Sequence, residues 1–246
     1  MGSLAENAAS VDSRIRAACA RAGRDPAEVR LIWVSKNHPQ ASALEALALG
    51  ARIFGENRVQ EALEKFPLPG AAPGAYELHL IGRLQKNKVR KILPLASAIH
   101  SVDSVELLEA IDRIAGELGL RPGVFLQVNT SREAAKGGFE PEALLPALAA
   151  LPIPAHARIV GLMTMGPLET AEGAPAGPEE ARRCFRELRG MLASARAAGR
   201  FPDLAALSMG MTGDFEAAIE EGAHFIRVGT GLFGARAPLG VPTAPK

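Results

Sequence analysis

The stretch Leu31-Ile32-Trp33-Val34-Ser35, followed by Lys36, decides how this sequence is interpreted. An apolar run of this length is typical of a short buried β-strand. A lysine at its end is unusual, because lysines are seldom buried without a partner. If Lys36 points into a pocket, desolvation lowers the pKa of its amine, and the neutral amine can form a Schiff base with a carbonyl compound. If it points into water, as most lysines do, it has no such role.

Seven further apolar segments follow this one, and helical patterns separate them. The eight predicted strands are 31–35, 52–54, 77–81, 98–102, 124–128, 159–163, 206–209 and 225–228. Helices are predicted over 4–21, before the first strand, and then over 40–49, 58–65, 86–93, 104–118, 141–151, 179–198 and 215–221. This alternation is typical of a parallel sheet, and eight strands in 246 residues fit a TIM-type (β/α)₈ barrel with an extra N-terminal helix. We therefore predict one α/β barrel domain, 1–246, with a loose tail at 237–246.

Composition and charge narrow the class of protein. Hydrophobic residues make up 48% and charged residues 22%, as in soluble globular proteins. A net charge of +1 gives no general attraction to nucleic acid or to an acidic membrane. Cys19 and Cys184 lie far apart, which indicates neither a disulfide framework nor a metal site and suits a reducing compartment. Without a signal peptide or an 18-residue apolar run, we expect a cytoplasmic protein.

The ends of the last two strands carry the clearest binding signal. Ser208-Met209-Gly210 opens one helix, and Arg227-Val228-Gly229-Thr230 follows the eighth strand. Glycines let the backbone approach a ligand, helix N-termini bind anions, and barrel phosphate sites recur after strands seven and eight. Either segment alone could be an ordinary loop. Together they predict a phosphate site in which the Ser208 and Thr230 hydroxyls add hydrogen bonds.

A Schiff-base lysine after the first strand and a phosphate site after the last two would face each other across the barrel mouth. A phosphorylated aldehyde of moderate size would span them, and pyridoxal 5′-phosphate (PLP) fits that description. The loop 167–178, rich in Pro, Gly, Ala and Glu, is either a mobile lid over this mouth or a tolerated surface insertion.

Motifs along nearly the whole chain carry a family resemblance. They are Val34-Ser35-Lys36, Phe54-Gly55-Glu56-Asn57, His79-Leu80-Ile81-Gly82, His100-Ser101-Val102-Asp103-Ser104, Gln127-Val128-Asn129 with Lys136, Gly161-Leu162-Met163, Ser208-Met209-Gly210-Met211 and Arg227-Val228-Gly229-Thr230. With these motifs the chain resembles the pyridoxal-phosphate homeostasis proteins, the YggS/PROSC group. Their fold is similar to the N-terminal barrel of alanine racemase.

The resemblance implies a protein of intracellular PLP (vitamin B6) homeostasis that holds PLP as a Schiff base on Lys36 and carries or buffers it. It implies that Arg227 faces the pyridine nitrogen. The other implied cofactor-binding residues are Asn57 and Met163, which would line the cofactor, and Ser208, Gly210, Gly229 and Thr230, which would hold the phosphate. PLP-dependent apoenzymes are the candidate recipients, and we expect a monomer.

Two positions depart from the family pattern. His38 stands where members often have a second lysine, two residues after the Schiff-base lysine. Arg58 stands where an aromatic residue often follows Gly-Glu-Asn. A cofactor transfer step that needs a second amine at position 38 is therefore in doubt.

We expect no catalytic residue and little or no turnover. PLP enzymes use the protonated pyridine ring as an electron sink, and an arginine beside the ring nitrogen disfavours that protonation. A racemase also needs a second acid or base, which alanine racemase takes from a tyrosine of a second domain. The single tyrosine here, Tyr76, precedes the third strand. Of the other candidate bases, His79 is predicted to be packed beside that strand and His38 to lie at the pocket rim.

Other functions stay open at this point. An amino-acid racemase or a Schiff-base aldolase could use the same barrel, and visible absorbance from bound PLP would distinguish the aldolase. The cations Arg83, Lys86, Lys88, Arg90 and Lys91 also permit a nucleic-acid or interaction module. A solvated helix face is the simpler interpretation of such a run at this net charge, and we predict no nucleic-acid partner.

Overall fold

Eight parallel strands form a closed barrel in the computed structural model, which describes residues 2–169 and 176–234. The strands follow one another in chain order, and the last pairs with the first. They are β1 (Arg30–Val34), β2 (Ile53–Glu56), β3 (Glu77–Leu80), β4 (Ala98–Val102), β5 (Gly123–Gln127), β6 (Arg158–Met163), β7 (Ala206–Ser208) and β8 (Phe225–Val228). The predicted (β/α)₈ barrel is confirmed.

Helices cover the outside of the barrel. They are α1 (Leu4–Ala22), α2 (Gln40–Ala48), α3 (Val59–Lys65), α4 (Val89–Ile92), α5 (Val105–Leu118), α6 (Pro141–Ala150), α7 (Pro178–Ala197), α8 (Phe215–Glu220) and α9 (Thr230–Phe233). The opening helix α1 packs against α8 and α9, and Asn7 Nδ2 donates to the carbonyl of Leu232 at 2.8 Å. It therefore covers the position where a helix after β8 would pack.

The barrel interior has its own small core, separate from the larger core between strands and helices. Side chains of alternate strand residues point to opposite faces of a sheet, so every second residue of each strand faces the barrel axis. The inner core consists of Ile32, Val34, Ile53, Ala98, Phe125, Met163 and Phe225. Trp33 and Phe54, at the intervening positions, belong to the outer core.

Some predicted boundaries differ from the structure. The first strand ends at Val34, because Ser35 begins a turn in which its carbonyl accepts from the His38 amide at 3.1 Å. The predicted helix 86–93 is a 3₁₀ turn at Lys86–Lys88 followed by the single turn α4. The predicted tail at 237–246, and residues 170–175 of the loop predicted as a lid at 167–178, lie outside the described residues.

Within the described ranges, none of the helices combines the length and the apolar character needed to cross a lipid bilayer.

Gly82, directly after β3, is in backbone contact with the end of β2. A Cβ atom at this position would lie 2.2 Å from the carbonyl oxygen of Asn57. We therefore expect Gly82→Ala to lower the free energy of unfolding by about 1–3 kcal/mol, as overpacking does. Denaturant titration measures this. Gly190→Ala is the control, since a Cβ on this exposed glycine of α7 would contact nothing within 4 Å. It should be neutral or slightly stabilising, and equal losses in the two variants would contradict the assignment.

Candidate cofactor site

Lys36 follows β1 at the carboxyl-terminal end of the strand. Ile32 and Val34 belong to the inner core, and Lys36 lies two residues beyond Val34, in the turn that follows the strand. Its side chain is half-buried. Lys36 therefore lies at the carboxyl-terminal mouth of the barrel, where the sequence predicted it.

Asn57 occupies the equivalent position on the neighbouring strand. Val34 of β1 pairs with Gly55 of β2, and Lys36 and Asn57 each lie two residues beyond that pair, at the same end of the barrel. Asn57 also borders a cavity of about 290 Å³ whose wall contains the cations Arg58, Arg83, Lys88 and Lys91.

A buried cluster holds the chain on both sides of Lys36. Before it, the Ser35 hydroxyl donates to Glu56 Oε1 at 2.7 Å, and Lys65 Nζ donates to the Ser35 carbonyl at 2.8 Å. After it, the amide of Asn37 donates to Glu61 Oε1. Lys65 joins the two carboxylates, at 2.6 Å from Glu56 Oε1 and 3.0 Å from Glu61 Oε1. The loop that carries Lys36 is thus anchored to β2 and α3.

The carboxyl group of Glu56 is fully buried in this cluster. Burial raises the pKa of Glu56, while its bonds to Lys65 and Ser35 act in the opposite direction. Its second oxygen, Oε2, is buried without a hydrogen-bond partner among the described residues. Sequence reasoning missed this cluster. The only available signal was the charged residue inside the apolar stretch Phe54-Gly55-Glu56, since a buried carboxylate requires a partner.

The ends of β7 and β8 form the edge next to β1, so the predicted phosphate site is beside Lys36 and not across the mouth from it. Gly229 lies against β1, where a Cβ would stand 3.3 Å from the Val34 carbonyl oxygen. Gly210 has φ +91°, and a Cβ there would lie 2.5 Å from the Cβ of Ala218. Thr230 begins α9, and its hydroxyl donates to the Thr212 hydroxyl at 3.2 Å. This glycine-lined edge is the surface where the sequence predicted a phosphate.

Arg227 lies below this edge and faces the barrel axis. Its Nη1 donates to Ser208 Oγ at 2.8 Å, and its Nη2 donates to the Thr164 carbonyl at 2.9 Å. Burial lowers the pKa of Arg227 to about 10, and Asp214 partly opposes that effect. The guanidinium therefore stays protonated at neutral pH. It is a fixed cation beneath the pocket.

Ser208 and Met163 lie deeper than the sequence prediction implied. The Ser208 hydroxyl is fully buried and bonded to Arg227 and His100, because Ser208 shares the inward face of its strand. Met163 is a buried member of the inner core. The structure brings Lys36, Asn57, Gly210, Gly229 and Thr230 to the mouth and places Ser208, Met163 and Arg227 in the layer beneath them. Direct contacts of Ser208 and Met163 with a cofactor stay predictions.

The other candidate acids and bases have separate positions. Tyr76 lies at the opposite, amino-terminal end of β3, where its hydroxyl accepts from the Leu68 amide at 2.8 Å. His79 is buried and hydrogen-bonded to Glu77 and His100 inside the barrel, as a packed histidine. His38 stacks on Phe233 of α9 with ring centroids 5.0 Å apart, at the rim.

The cluster behind Lys36 generates a stability prediction. Lys65→Met should lower the free energy of unfolding at neutral pH by about 3–5 kcal/mol, because it leaves the Glu56 carboxylate buried without its cation. Since an elevated carboxyl pKa means that the folded state binds more protons, this loss should shrink as the pH falls and Glu56 takes up a proton. Urea titrations at several pH values measure it. The double variant Glu56→Gln/Lys65→Met should recover part of the loss, and a pH-independent loss in the single variant would contradict the account.

Comparison with known proteins identifies the family and supports the fold. The family described as alanine racemase, N-terminal domain, matches residues 7–237. A pyridoxal phosphate homeostasis protein of Pseudomonas aeruginosa is 44% identical over 96% of this chain and 97% of its own. The alanine racemase of Clostridium difficile shares the fold, with a TM-score of 0.64 at 17% identity over 85% of this chain and 52% of its own.

A solved relative, PipY of Synechococcus elongatus, matches in two forms. The form without PLP is 42% identical and superposes with a TM-score of 0.82 over 94% of this chain and 100% of its own. The form with PLP bound is 40% identical with a TM-score of 0.74 over the same shares. By full-length sequence similarity and by fold, the chain belongs to the alanine racemase N-terminal domain family and, within it, to the pyridoxal phosphate homeostasis proteins.

Proposed function

We propose that this protein binds PLP as a Schiff base on Lys36 and carries or buffers it in intracellular PLP homeostasis, with little or no turnover. The position of Lys36 carries the proposal: it lies two residues beyond the end of β1, at the same end of the barrel as Gly229 and Thr230, which follow the neighbouring strand β8. The relatives' function and the PLP bound to PipY support it.

The residues present fit this cofactor. Lys36 supplies the amine, and the backbone at Gly229 and Thr230, with Gly210, supplies a surface that approaches a phosphate without interfering side chains. A Cβ at Gly229 or Gly210 would crowd Val34 or Ala218. When bound, PLP supplies an aldehyde that reacts reversibly with amines and a ring that can accept electron density. Asn57 would line one side of the ring.

Two features support binding without efficient catalysis. Arg227, protonated at neutral pH with a pKa of about 10, has only N–H donors to offer a pyridine nitrogen and so favours the unprotonated ring. Tyr76, the only tyrosine of the sequence, is hydrogen-bonded at the far end of the barrel and supplies no acid to the mouth. Tyr76 therefore cannot act as the second group of a proton shuttle of the racemase type. The apoenzyme recipients, the monomeric state and the cytoplasmic location stay predictions.

The amine at position 36 can be tested by spectroscopy. Protein incubated with PLP and desalted should keep a visible absorbance band, and Lys36→Ala should lose it because the amine that bonds the aldehyde is removed. Lys86→Ala, which removes an exposed lysine, is the matched control and should retain the band. An unchanged band in Lys36→Ala would refute the Schiff-base assignment, and a wild-type protein without colour would favour the aldolase alternative.

Turnover can be tested directly. We expect the PLP-loaded protein to racemise L-alanine no faster than free PLP at the same concentration. Tyr76, at the far end of the barrel, cannot serve as the second acid or base that a racemase needs. Chiral chromatography of the product measures this. Racemisation at ordinary enzyme rates, about 1–10³ s⁻¹, would refute the non-catalytic proposal.

A further inference from the structure

A line of polar side chains crosses the barrel interior below the candidate site. Arg227 Nη1 lies 2.8 Å from Ser208 Oγ, and Ser208 Oγ lies 2.8 Å from His100 Nδ1. His100 Nε2 lies 3.0 Å from His79 Nδ1, and His79 Nε2 lies 3.2 Å from the Glu77 carboxylate. All five side chains stand on inward positions of β3, β4, β7 and β8. The line runs from the mouth to the amino-terminal end of the barrel.

The groups at the two ends of the line fix the direction of its first and last hydrogen bonds. An arginine can only donate and an ionised carboxylate can only accept. Ser208 Oγ accepts from Arg227, so its own proton is available to His100 Nδ1. At the other end His79 Nε2 must donate to Glu77, which leaves His79 Nδ1 to accept from His100 Nε2. With both histidines neutral, the carboxylate end therefore places the single proton of each ring on Nε2. The arginine end is compatible with this arrangement, because Ser208 Oγ keeps its own proton to donate to His100.

The surroundings of the histidines favour this neutral state. His100 is fully buried and stacks on Phe125 at 4.1 Å between ring centroids, and Phe225 packs against both imidazoles. Burial, with His79 and Arg227 nearby, holds the pKa of His100 well below its usual range. Burial also lowers the pKa of His79, which the adjacent carboxylate of Glu77 opposes and Arg30 reinforces.

The lower end of the line is secured by an ion pair. Arg30 Nη2 donates to Glu77 Oε1 at 2.7 Å, and its guanidinium lies over the Phe225 ring, 5.0 Å from the centroid. The hydrogen bond from His79 is the largest of the contributions that lower the pKa of Glu77 to about 2, so this carboxyl is ionised at neutral pH. The line therefore keeps a permanent acceptor at its base and a permanent donor at its top.

We propose that His100 and His79 are positioning residues for Arg227: through Ser208 they form one directional hydrogen-bond chain, anchored on Glu77, that holds the guanidinium in place beneath the cofactor pocket. This rests on the proposed function in one respect, the contact of Arg227 with the pyridine nitrogen. The chain acts as a rigid support, since Arg227 gives up no proton at neutral pH and each member has its partner. The chain would thereby hold the Arg227 cation beside the nitrogen of the PLP pyridine ring.

The histidine tautomers test the chain in ligand-free protein. Ring ¹⁵N NMR of histidine-labelled protein, assigned with single His→Gln variants, should show His79 and His100 neutral at pH 7 with the proton on Nε2. A proton on Nδ1 of either ring, or a charged ring at that pH, would overturn the proposal. PLP is absent from this measurement, so its result is independent of whether the proposed function holds.

A pair of substitutions tests the link to Arg227. His100→Phe keeps the stacking on Phe125 but removes the acceptor for Ser208, whereas His100→Gln retains one donor and one acceptor. In ligand-free protein we expect the slowly exchanging Arg227 side-chain N–H signals to be lost in His100→Phe and retained in His100→Gln. In PLP-loaded protein we expect about tenfold weaker binding and a shifted absorbance band in His100→Phe alone, since an unpaired buried polar group is costly.

Unchanged Arg227 signals in a folded His100→Phe variant would overturn the positioning role even if the tautomers are as expected. If His100→Phe fails to fold, His79→Phe against His79→Gln provides the same comparison one step further along the chain. Failure of the wild-type protein to bind PLP would refute the proposed function and leave the two ligand-free tests to decide this inference.

Discussion

The alternation of side chains along eight parallel strands in a closed barrel is the constraint from which the rest follows. A barrel of eight strands is just wide enough for side chains to fill, so every inward residue must pack or find a hydrogen-bond partner. On β1, Ile32 and Val34 meet this requirement by packing in the inner core. Lys36, two residues further, lies beyond that core, at the mouth of the barrel. The same two-residue step on β8 separates Phe225 from Arg227. Phe225 packs in the inner core, whereas Arg227 donates hydrogen bonds to Ser208 and Thr164.

The position of Lys36 also depends on the outer face of the sheet. Ser35 and Glu56 point outward, toward α3, and Lys65 of that helix bonds to both. A buried ion pair of this kind is weak evidence for stability, because desolvating two charges offsets most of their attraction. Its observable effect is geometric, since hydrogen bonds hold the loop on either side of Lys36. Residues on the inner face of the sheet line the candidate site, and the hydrogen bonds on its outer face hold the loop that carries Lys36.

Much of this arrangement could be predicted from the sequence, and the remainder could not for a physical reason. The strands, the barrel and the location of Lys36 follow from local apolar runs and from the order of elements, which are properties of neighbouring residues. The partners of Ser208 do not, because His100 is 108 positions away in the chain and only the closed barrel brings the two together. Glu56 and Lys65 are close in the chain, but their pairing depends on how α3 packs against β2, which the local pattern does not give. Sequence reasoning assigned Ser208 to the phosphate because its hydroxyl follows a strand. The structure shows that this hydroxyl faces the axis.

The account as a whole depends on Lys36 being the amine that meets the cofactor at the mouth. Borohydride reduction of the PLP-loaded protein, followed by peptide mapping with mass spectrometry, tests this most directly. We expect a single reduced pyridoxyl group, on the peptide that contains Lys36. Labelling of Lys65, Lys88 or Lys136 in its place would contradict the account, as would a folded protein that carries no label.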